Sequence, residues 1–123
     1  MPRFVILEHD HPTLHWDFML EVNGVLKTWR LPEAPRNHGQ TMEAEALGDH
    51  RLAYLDYEGP VSGERGTVRC WERGTYVWIP EREVTVWEVQ LESARLTGTV
   101  FLVHRAGATW DYSFQPSEAQ GPR

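Results

Sequence analysis

The sequence has a single cysteine and a shortage of basic residues. Because Cys70 is the one cysteine among 123 residues, neither an internal disulfide nor a cysteine zinc cluster can form. Its 12 Lys and Arg residues are outnumbered by 18 Asp and Glu residues, which gives a net charge of −6. A protein that coats nucleic acid needs many phosphate contacts from basic side chains, so any nucleic-acid contact here must be local.

Long apolar runs are missing as well. The apolar run near the N-terminus is too short for a signal peptide, and no stretch approaches the length of a membrane span. We therefore expect a cytoplasmic protein without a membrane partner. No internal repeat or long linker is found, so residues 1–123 are expected to form one domain with a frayed tail over 116–123.

What the sequence does contain is a series of short β-strand patterns. Val, Thr, Trp and Tyr alternate with polar residues, and Gly or Pro turns separate the segments. Asn23-Gly24 is a strong hairpin signal because both residues tolerate positive φ, and Arg73-Gly74 resembles a second tight turn. Nine short strands favour a β-barrel or a β-sandwich. The predicted strands are Arg3–Glu8, Leu14–Val22, Val25–Leu31, Thr41–Leu47, Gly66–Glu72, Thr75–Ile79, Thr85–Leu91, Gly98–His104 and Trp110–Phe114.

One segment favours a helix. In the stretch GDHRLAYLDYEG, Asp49 can cap a short helix around residues 49–57. His50, Tyr54 and Tyr57 then recur at i, i+4 and i+7, which places them on one face of that helix.

The stretch EHDHPTLHWDFMLE carries the strongest chemical signal. If its second half is a strand, His15 and Asp17 are neighbours on one face. A hairpin that closes over residues 10–13 then brings His9 beside His15. Two imidazoles and a carboxylate suit a divalent transition metal and leave coordination positions open for water or substrate. On these residues alone, a metal site and a solvated polar turn both remain open.

The Asn23-Gly24 turn also fixes the register of the next hairpin. A two-residue turn places Asp17 opposite Arg30, and directly opposed residues share one face of a sheet. A guanidinium beside a metal is suited to hold a phosphate. An ordinary ion pair between Arg30 and Asp17 is the alternative.

These motifs together resemble the phosphoesterase domain of bacterial ATP-dependent DNA ligase D. HDHPTLHWDFMLEVNGVLKTW is similar to the family motif H-D-x-x-x-L-H-[YW]-D-F-R-L-E-x-[DN]-G-V-L-K-S-W. Further on, DHRLAYLDYEG is similar to D-H-P-x-x-Y-x-x-F-E-G, and GTVRCWERGTY to G-T-V-x-x-W-D-x-G-T-Y. The likeness covers about residues 4 to 114. A stand-alone homologue of that domain is therefore expected.

The resemblance implies both a fold and an activity. We predict an all-β fold, a single compact antiparallel β-barrel with one short helix around residues 49–57. The implied activity is a metal-dependent hydrolase that acts on nucleic-acid 3′ ends, removing a terminal ribonucleoside and then the 3′-phosphate before ligation. Manganese is the implied metal, with Zn, Co or Fe as alternatives. Implied partners are DNA 3′ ends and other ligase or end-joining proteins of non-homologous end joining.

By motif position the resemblance also implies the site residues. His9, His15 and Asp17 would bind the metal. His50 and Tyr54 would contact the scissile phosphate and act as the catalytic residues.

The sequence departs from the family pattern at Met19, where the family has a phosphate-binding arginine. We predict that Arg30 replaces this guanidinium from the neighbouring strand. A module that binds the metal and a phosphorylated end without turnover is the alternative.

A third interpretation belongs to another class of chemistry. His15 and Asp17 with the distant His104 could form the facial triad of a non-haem iron oxygenase. It is less favoured because it leaves His9, His50 and Tyr54 unexplained.

Overall fold

The chain winds antiparallel strands into a closed barrel. The computed structural model describes residues 2–79 and 86–117. These residues form one 3₁₀ turn (Leu52–Leu55) and nine strands: β1 (Arg3–His9), β2 (His15–Val22), β3 (Val25–Leu31), β4 (Gln40–His50), β5 (Gly59–Pro60), β6 (Thr67–Ile79), β7 (Val86–Ser93), β8 (Thr97–Ala106) and β9 (Thr109–Pro116).

Eight of these strands close the barrel. Their order is β1-β2-β3-β4-β9-β8-β7-β6, and β6 pairs back with β1, while the two-residue β5 adds to β6. The predicted all-β antiparallel barrel is therefore confirmed. No helix in the described part of the chain is long and apolar enough to cross a membrane.

The barrel interior is filled by the inward side chains of alternating strand positions. Aromatic rings dominate it, with Phe18 packing against Trp29 and Tyr112 at centroid distances of 6.4 and 6.0 Å. Burying a side chain of this kind stabilises the fold by roughly 1.5–3 kcal/mol. The predicted hairpin register holds, since Asp17 lies opposite Arg30 and Phe18 opposite Trp29. Because Phe18 and Trp29 point into the barrel, their neighbours Asp17 and Arg30 point to the outside.

The predicted turn at Arg73-Gly74 is wrong, because strand β6 runs through it. Both residues lie inside one long strand, so the two strands predicted over Gly66–Glu72 and Thr75–Ile79 are a single element. At Gly74 the strand passes from its pairing with β1 to its pairing with β7. A Cβ there would stand 2.7 Å from Ser93 Cβ and 3.0 Å from the Phe4 ring, so glycine serves close strand approach instead of a turn.

The predicted helix is much shorter than expected. Asp49 and His50 end strand β4, and only the 3₁₀ turn follows, with Arg51 at its N-terminus and no side-chain cap. Asp49 instead lies 3.4 Å from the Lys27 ammonium, so it does not cap a helix. The one buried residue of this turn, Leu55, packs in an apolar cluster on the outer face of the sheet.

A second, smaller apolar cluster therefore lies outside the barrel, beside the first strands. Its members are Val5, Leu7, Met19, Leu26, Leu55 and Val68. This cluster makes the outer face at β1 and β2 a covered surface.

The first two residues of the predicted frayed tail, 116 and 117, are held against strand β8. Pro116 pairs with Gly98, and the Ser117 N–H donates to the Thr97 carbonyl oxygen. The rest of the predicted tail, 118–123, lies outside the described residues, as does Thr85 of the seventh predicted strand.

Two buried tyrosines predict a loss of stability in alkali. Burial raises the pKa of Tyr76 to about 12 from 10.0 and also raises the pKa of Tyr112. Because the unfolded chain releases these protons near pH 10 while folded Tyr76 holds its proton until about 12, stability should fall across that interval. Urea midpoints at pH 9 and pH 11 measure the effect.

Tyr76→Phe provides the comparison. It removes the hydrogen bond from the Tyr76 hydroxyl to the Glu21 carbonyl oxygen, 2.8 Å long, and lowers stability at pH 9. It should also reduce the further loss between pH 9 and pH 11. An unchanged loss in the variant would contradict the assignment.

Candidate active site

The β1–β2 hairpin brings His9, His15 and Asp17 together. His9 and His15 are directly paired across the two strands, and their ring centroids are 4.8 Å apart. Asp17 Oδ1 lies 3.2 Å from His15 Nε2, and Oδ2 lies 3.5 Å from His9 Nδ1. The ligand atoms of all three residues fall within 4.8 Å of one another. The structure therefore has the convergence that strand alternation predicted.

The remaining ring nitrogens fix which atoms face Asp17. His15 Nδ1 donates to the Thr13 carbonyl oxygen at 2.8 Å, and His9 Nε2 donates to the Arg65 carbonyl oxygen at 2.8 Å. A carbonyl can only accept, so each of these nitrogens carries a hydrogen. In the neutral rings, His15 Nε2 and His9 Nδ1 then carry no hydrogen and present a lone pair to Asp17. This is the arrangement typical of metal-ligating histidines, whose second nitrogen donates to a carbonyl.

Two acceptor atoms held face to face in a dry site require a positive charge between them. His15 and Asp17 are each only 3% exposed, and among the described residues His15 Nε2 and Asp17 Oδ1 have no hydrogen-bond partner. Burial without a partner is costly for such groups. A proton or a cation relieves the repulsion, and two imidazoles with one carboxylate suit Mn, Fe, Co or Zn. The three residues therefore fit a metal ion.

A groove opens directly beside this cluster. It encloses about 290 Å³ and is lined in part by His9, Asp17, Arg30, His50 and Tyr54. All five sequence-predicted residues other than the buried His15 thus share one surface.

His50 and Tyr54 adjoin in the groove although no helix joins them. His50 ends β4, Tyr54 lies in the 3₁₀ turn, and their rings meet edge-on at 5.8 Å. His50 Nδ1 donates to the Gly48 carbonyl oxygen at 2.9 Å, which leaves Nε2 as the acceptor in the neutral ring. The chain reversal after β4 brings the two side chains together.

Arg30 lies on the strand next to Asp17 and points outward. Its Nη1 is 3.9 Å from Glu45 Oε1, so its ion partner is the residue opposite on β4 and not Asp17. The Arg30 side chain is 35% exposed and lines the groove. A half-exposed pair at this distance is weak, so the guanidinium can exchange Glu45 for an anion.

Met19 occupies the expected face but not the expected environment. Strand alternation places it outward, two residues from Asp17, yet it is 1% exposed within the second apolar cluster. It is also one of the residues that line the groove.

The loop that supports His9 cannot be recognised from the sequence. Asp10 Oδ1 accepts a hydrogen bond from the Thr67 N–H at 2.8 Å, which ties the β1–β2 turn to the start of β6. A Cβ at Gly66 would collide with the Asp10 carboxylate and His11, so only glycine allows this approach. The approach sets the Arg65 carbonyl against the His9 ring. The GERG segment marks a turn, but its docking partner is 56 residues away.

The oxygenase triad is not assembled. His104 Nε2 donates to the Gly107 carbonyl oxygen at 2.7 Å, and the ring packs on Trp110 at 5.0 Å. In residues 2–79 and 86–117, the clustered ligand set contains His9 and lacks His104. His104 closes the β8–β9 turn instead.

Comparison with known proteins agrees with this geometry. The family model "DNA Ligase D 3′-phosphoesterase domain" matches residues 7–104. The "Multifunctional non-homologous end joining protein LigD" of Pseudomonas aeruginosa is 37% identical over 82 residues, which cover 63% of this chain and 10% of that protein. The LigD repair protein of Mycobacterium tuberculosis is 35% identical over 114 residues, or 87% of this chain and 15% of that protein. The chain thus spans a small part of the length of these relatives. It belongs to the DNA Ligase D 3′-phosphoesterase domain family.

Proposed function

We propose that this chain is a metal-dependent phosphoesterase that acts on nucleic-acid 3′ ends in end repair. The observation that carries the proposal is the pair of acceptors without a hydrogen-bond partner, His15 Nε2 and Asp17 Oδ1, 3.2 Å apart and buried at the edge of a groove lined in part by Arg30, His50 and Tyr54. His9, His15 and Asp17 would hold the metal. Manganese is the metal we propose from the family resemblance, and the ligand set also admits Zn, Co or Fe.

A metal held by His9, His15 and Asp17 would supply a positive charge to polarise a phosphoryl oxygen. Each neighbouring side chain then has a separate task. Arg30 donates two parallel N–H groups to phosphate oxygens after leaving Glu45. Tyr54 would donate its hydroxyl hydrogen to the phosphate, and the imidazole of His50 would act as the general acid for the leaving oxygen. The apolar cluster that contains Met19 would exclude water from one side of the groove, which would strengthen these electrostatic interactions.

The proposed substrates rest on the resemblance to the family and on the charge of the chain. With a net charge of −6, we propose a local contact with a strand end and not an extended contact with a long duplex. We therefore propose 3′-ribonucleoside and 3′-phosphate ends as substrates, with ligase or end-joining proteins as partners. A cytoplasmic location belongs to the same proposal.

Turnover with manganese is the direct test. An oligonucleotide that ends in a 3′-phosphate should release phosphate when Mn²⁺ is added to chelator-treated protein. The same oligonucleotide phosphorylated at its 5′ end should not react. Phosphate release and gel mobility measure both. Absence of release from every 3′-phosphate and 3′-ribonucleoside end, with each of Mn²⁺, Co²⁺, Zn²⁺ and Fe²⁺, would end the proposal.

The burial of Met19 favours one second candidate, a binding module without turnover. A position where the family carries a phosphate-binding arginine is here part of an apolar cluster. Saturable, metal-dependent binding of the 3′-phosphate oligonucleotide without product would select this candidate. Appearance of turnover in Met19→Arg would then assign the defect to the lost guanidinium.

A further inference from the structure

The groove is flanked by two cavities of opposite chemical character. One cross-strand row of directly opposed residues runs over the outer face: Leu7, Asp17, Arg30, Glu45 and Thr109. Adjacent strands lie about 4.8 Å apart, so Glu45 stands about 10 Å from Asp17, with Arg30 between them. The row therefore connects the proposed metal ligand Asp17 with the Glu45 carboxylate, two strands away.

The first cavity lies at the Glu45 end of this row. It encloses about 460 Å³ and shares Arg30 with the metal groove. Leu14 and Pro32 give it apolar walls, while Glu43 and Glu45 stand exposed at its rim. The volume falls within the about 300–1,000 Å³ that small-molecule sites occupy.

The charge at this rim is unfavourable for a phosphate. Glu43 and Glu45 both point outward from β4, two residues apart. The Arg105 guanidinium nearby is held by Asp111 at 2.6 Å, and Asp111 lies opposite Glu43. Carboxylates accept hydrogen bonds from ribose hydroxyl groups, so the cavity suits an uncharged nucleoside.

The second cavity lies on the far side of the groove and shares Tyr54 with it. It encloses about 260 Å³ and is lined by Arg51, Tyr54 and Tyr57. The two tyrosine rings meet at 5.7 Å and 90°, and Tyr57 is exposed. Aromatic rings with an arginine are typical of surfaces on which single-stranded bases stack and backbones pass.

We propose that these two cavities set the direction in which a strand crosses the site. The terminal nucleoside that is released occupies the acidic cavity beside Glu43 and Glu45, and the retained strand passes over Tyr57 and Arg51. This inference rests on the proposed function, since it names where each part of that substrate binds. It also predicts that nucleosides are released one at a time, because cleavage one linkage further from the end would place a phosphate against the two carboxylates.

Product size tests the acidic cavity. On a strand that ends in two ribonucleotides, the wild-type protein should release a single nucleoside first. Glu43→Lys should raise the fraction of dinucleotide released first by about ten-fold, the effect of removing one repulsive charge contact near a surface.

Glu92→Lys is the matched control, since it makes the same charge change at an exposed position of β7 on another part of the barrel. It should leave the product ratio unchanged. An equal shift in both variants, or none in Glu43→Lys, would overturn the inference.

Photo-crosslinking tests strand direction without relying on turnover. A photoreactive thiouridine is placed either at the 3′-terminal nucleoside or two positions before it, with the metal withheld so that the strand stays intact. The terminal probe should attach to the segment 13–14 or 108–109, and the internal probe to Tyr57 or Arg51. Reversed attachment, or attachment at neither cavity, would refute the inference. A protein with the expected attachment but no turnover would refute the proposed function alone.

Discussion

Asp17→Asn is expected to abolish metal-dependent turnover and, at the same time, to stabilise the metal-free protein. The amide offers an N–H to His15 Nε2, 3.2 Å away in the parent, where the carboxylate presents a second acceptor. One net hydrogen bond contributes about 1 kcal/mol, which raises the melting temperature of a domain of this size by about 4 °C. Metal affinity should fall by at least about 100-fold, since losing a mere supporting partner of a ligand already costs 10–100-fold.

Thermal melts in chelator and in Mn²⁺, with calorimetric titration of the metal, measure both effects. In the parent, Mn²⁺ should raise the melting temperature, and in Asp17→Asn this increase should vanish. Asp56→Asn is the matched control because Asp56 makes an exposed ion pair with Arg3 at 2.7 Å. It should leave metal affinity unchanged. A metal-free Asp17→Asn protein that melts below the parent would show that the Asp17 carboxylate and the histidine lone pairs do not repel one another in the metal-free parent.

Arg30→Gln is expected to lower kcat/KM on a 3′-phosphate end by about 10- to 150-fold, the equivalent of the 1.5–3 kcal/mol that a charged hydrogen bond contributes. Metal affinity should stay the same, because Arg30 is not a ligand. Arg30→Lys should recover only part of the loss, since an ammonium cannot donate the two parallel bonds of a guanidinium.

Steady-state kinetics of the purified variants provide the measurement. Arg69→Gln removes the same charge from a side chain of β6 that is 72% exposed and paired with Glu8 of β1. It should retain parental kcat/KM. Full activity in Arg30→Gln would assign the phosphate contact to another residue and would remove the compensation proposed for Met19.

The part of the site that sequence could predict is the part formed by local pairing. His9, His15, Asp17 and Arg30 lie within two consecutive hairpins. The period of two along a strand and the Asn23-Gly24 turn are enough to place them on one outer face. No distant residue is needed for that inference.

What sequence could not predict depends on contacts between distant segments. Gly74 resembles a turn residue until β1 and β7 are seen on either side of it. Strand alternation places Met19 on the polar face of the site, and only the fold shows that Leu55 and other apolar residues bury it there. The Arg65 carbonyl has no side-chain signature at all, because its contribution is a backbone oxygen. His50 and Tyr54 were predicted together for the wrong reason, since a strand end and a 3₁₀ turn now replace the helix that joined them.

The long strand β6 has a consequence for the order in which the protein acquires its ligand geometry. The first three strands can pair through neighbouring residues, whereas β6 reaches β1 only after a large loop has closed, which is a slow step in folding. The hydrogen bond that orients the His9 ring comes from a residue 56 positions later. A nascent N-terminal segment would therefore carry all three proposed ligands without the hydrogen bond that orients the His9 ring. The ligand geometry of the proposed metal site is then complete only after the circuit of strands has closed.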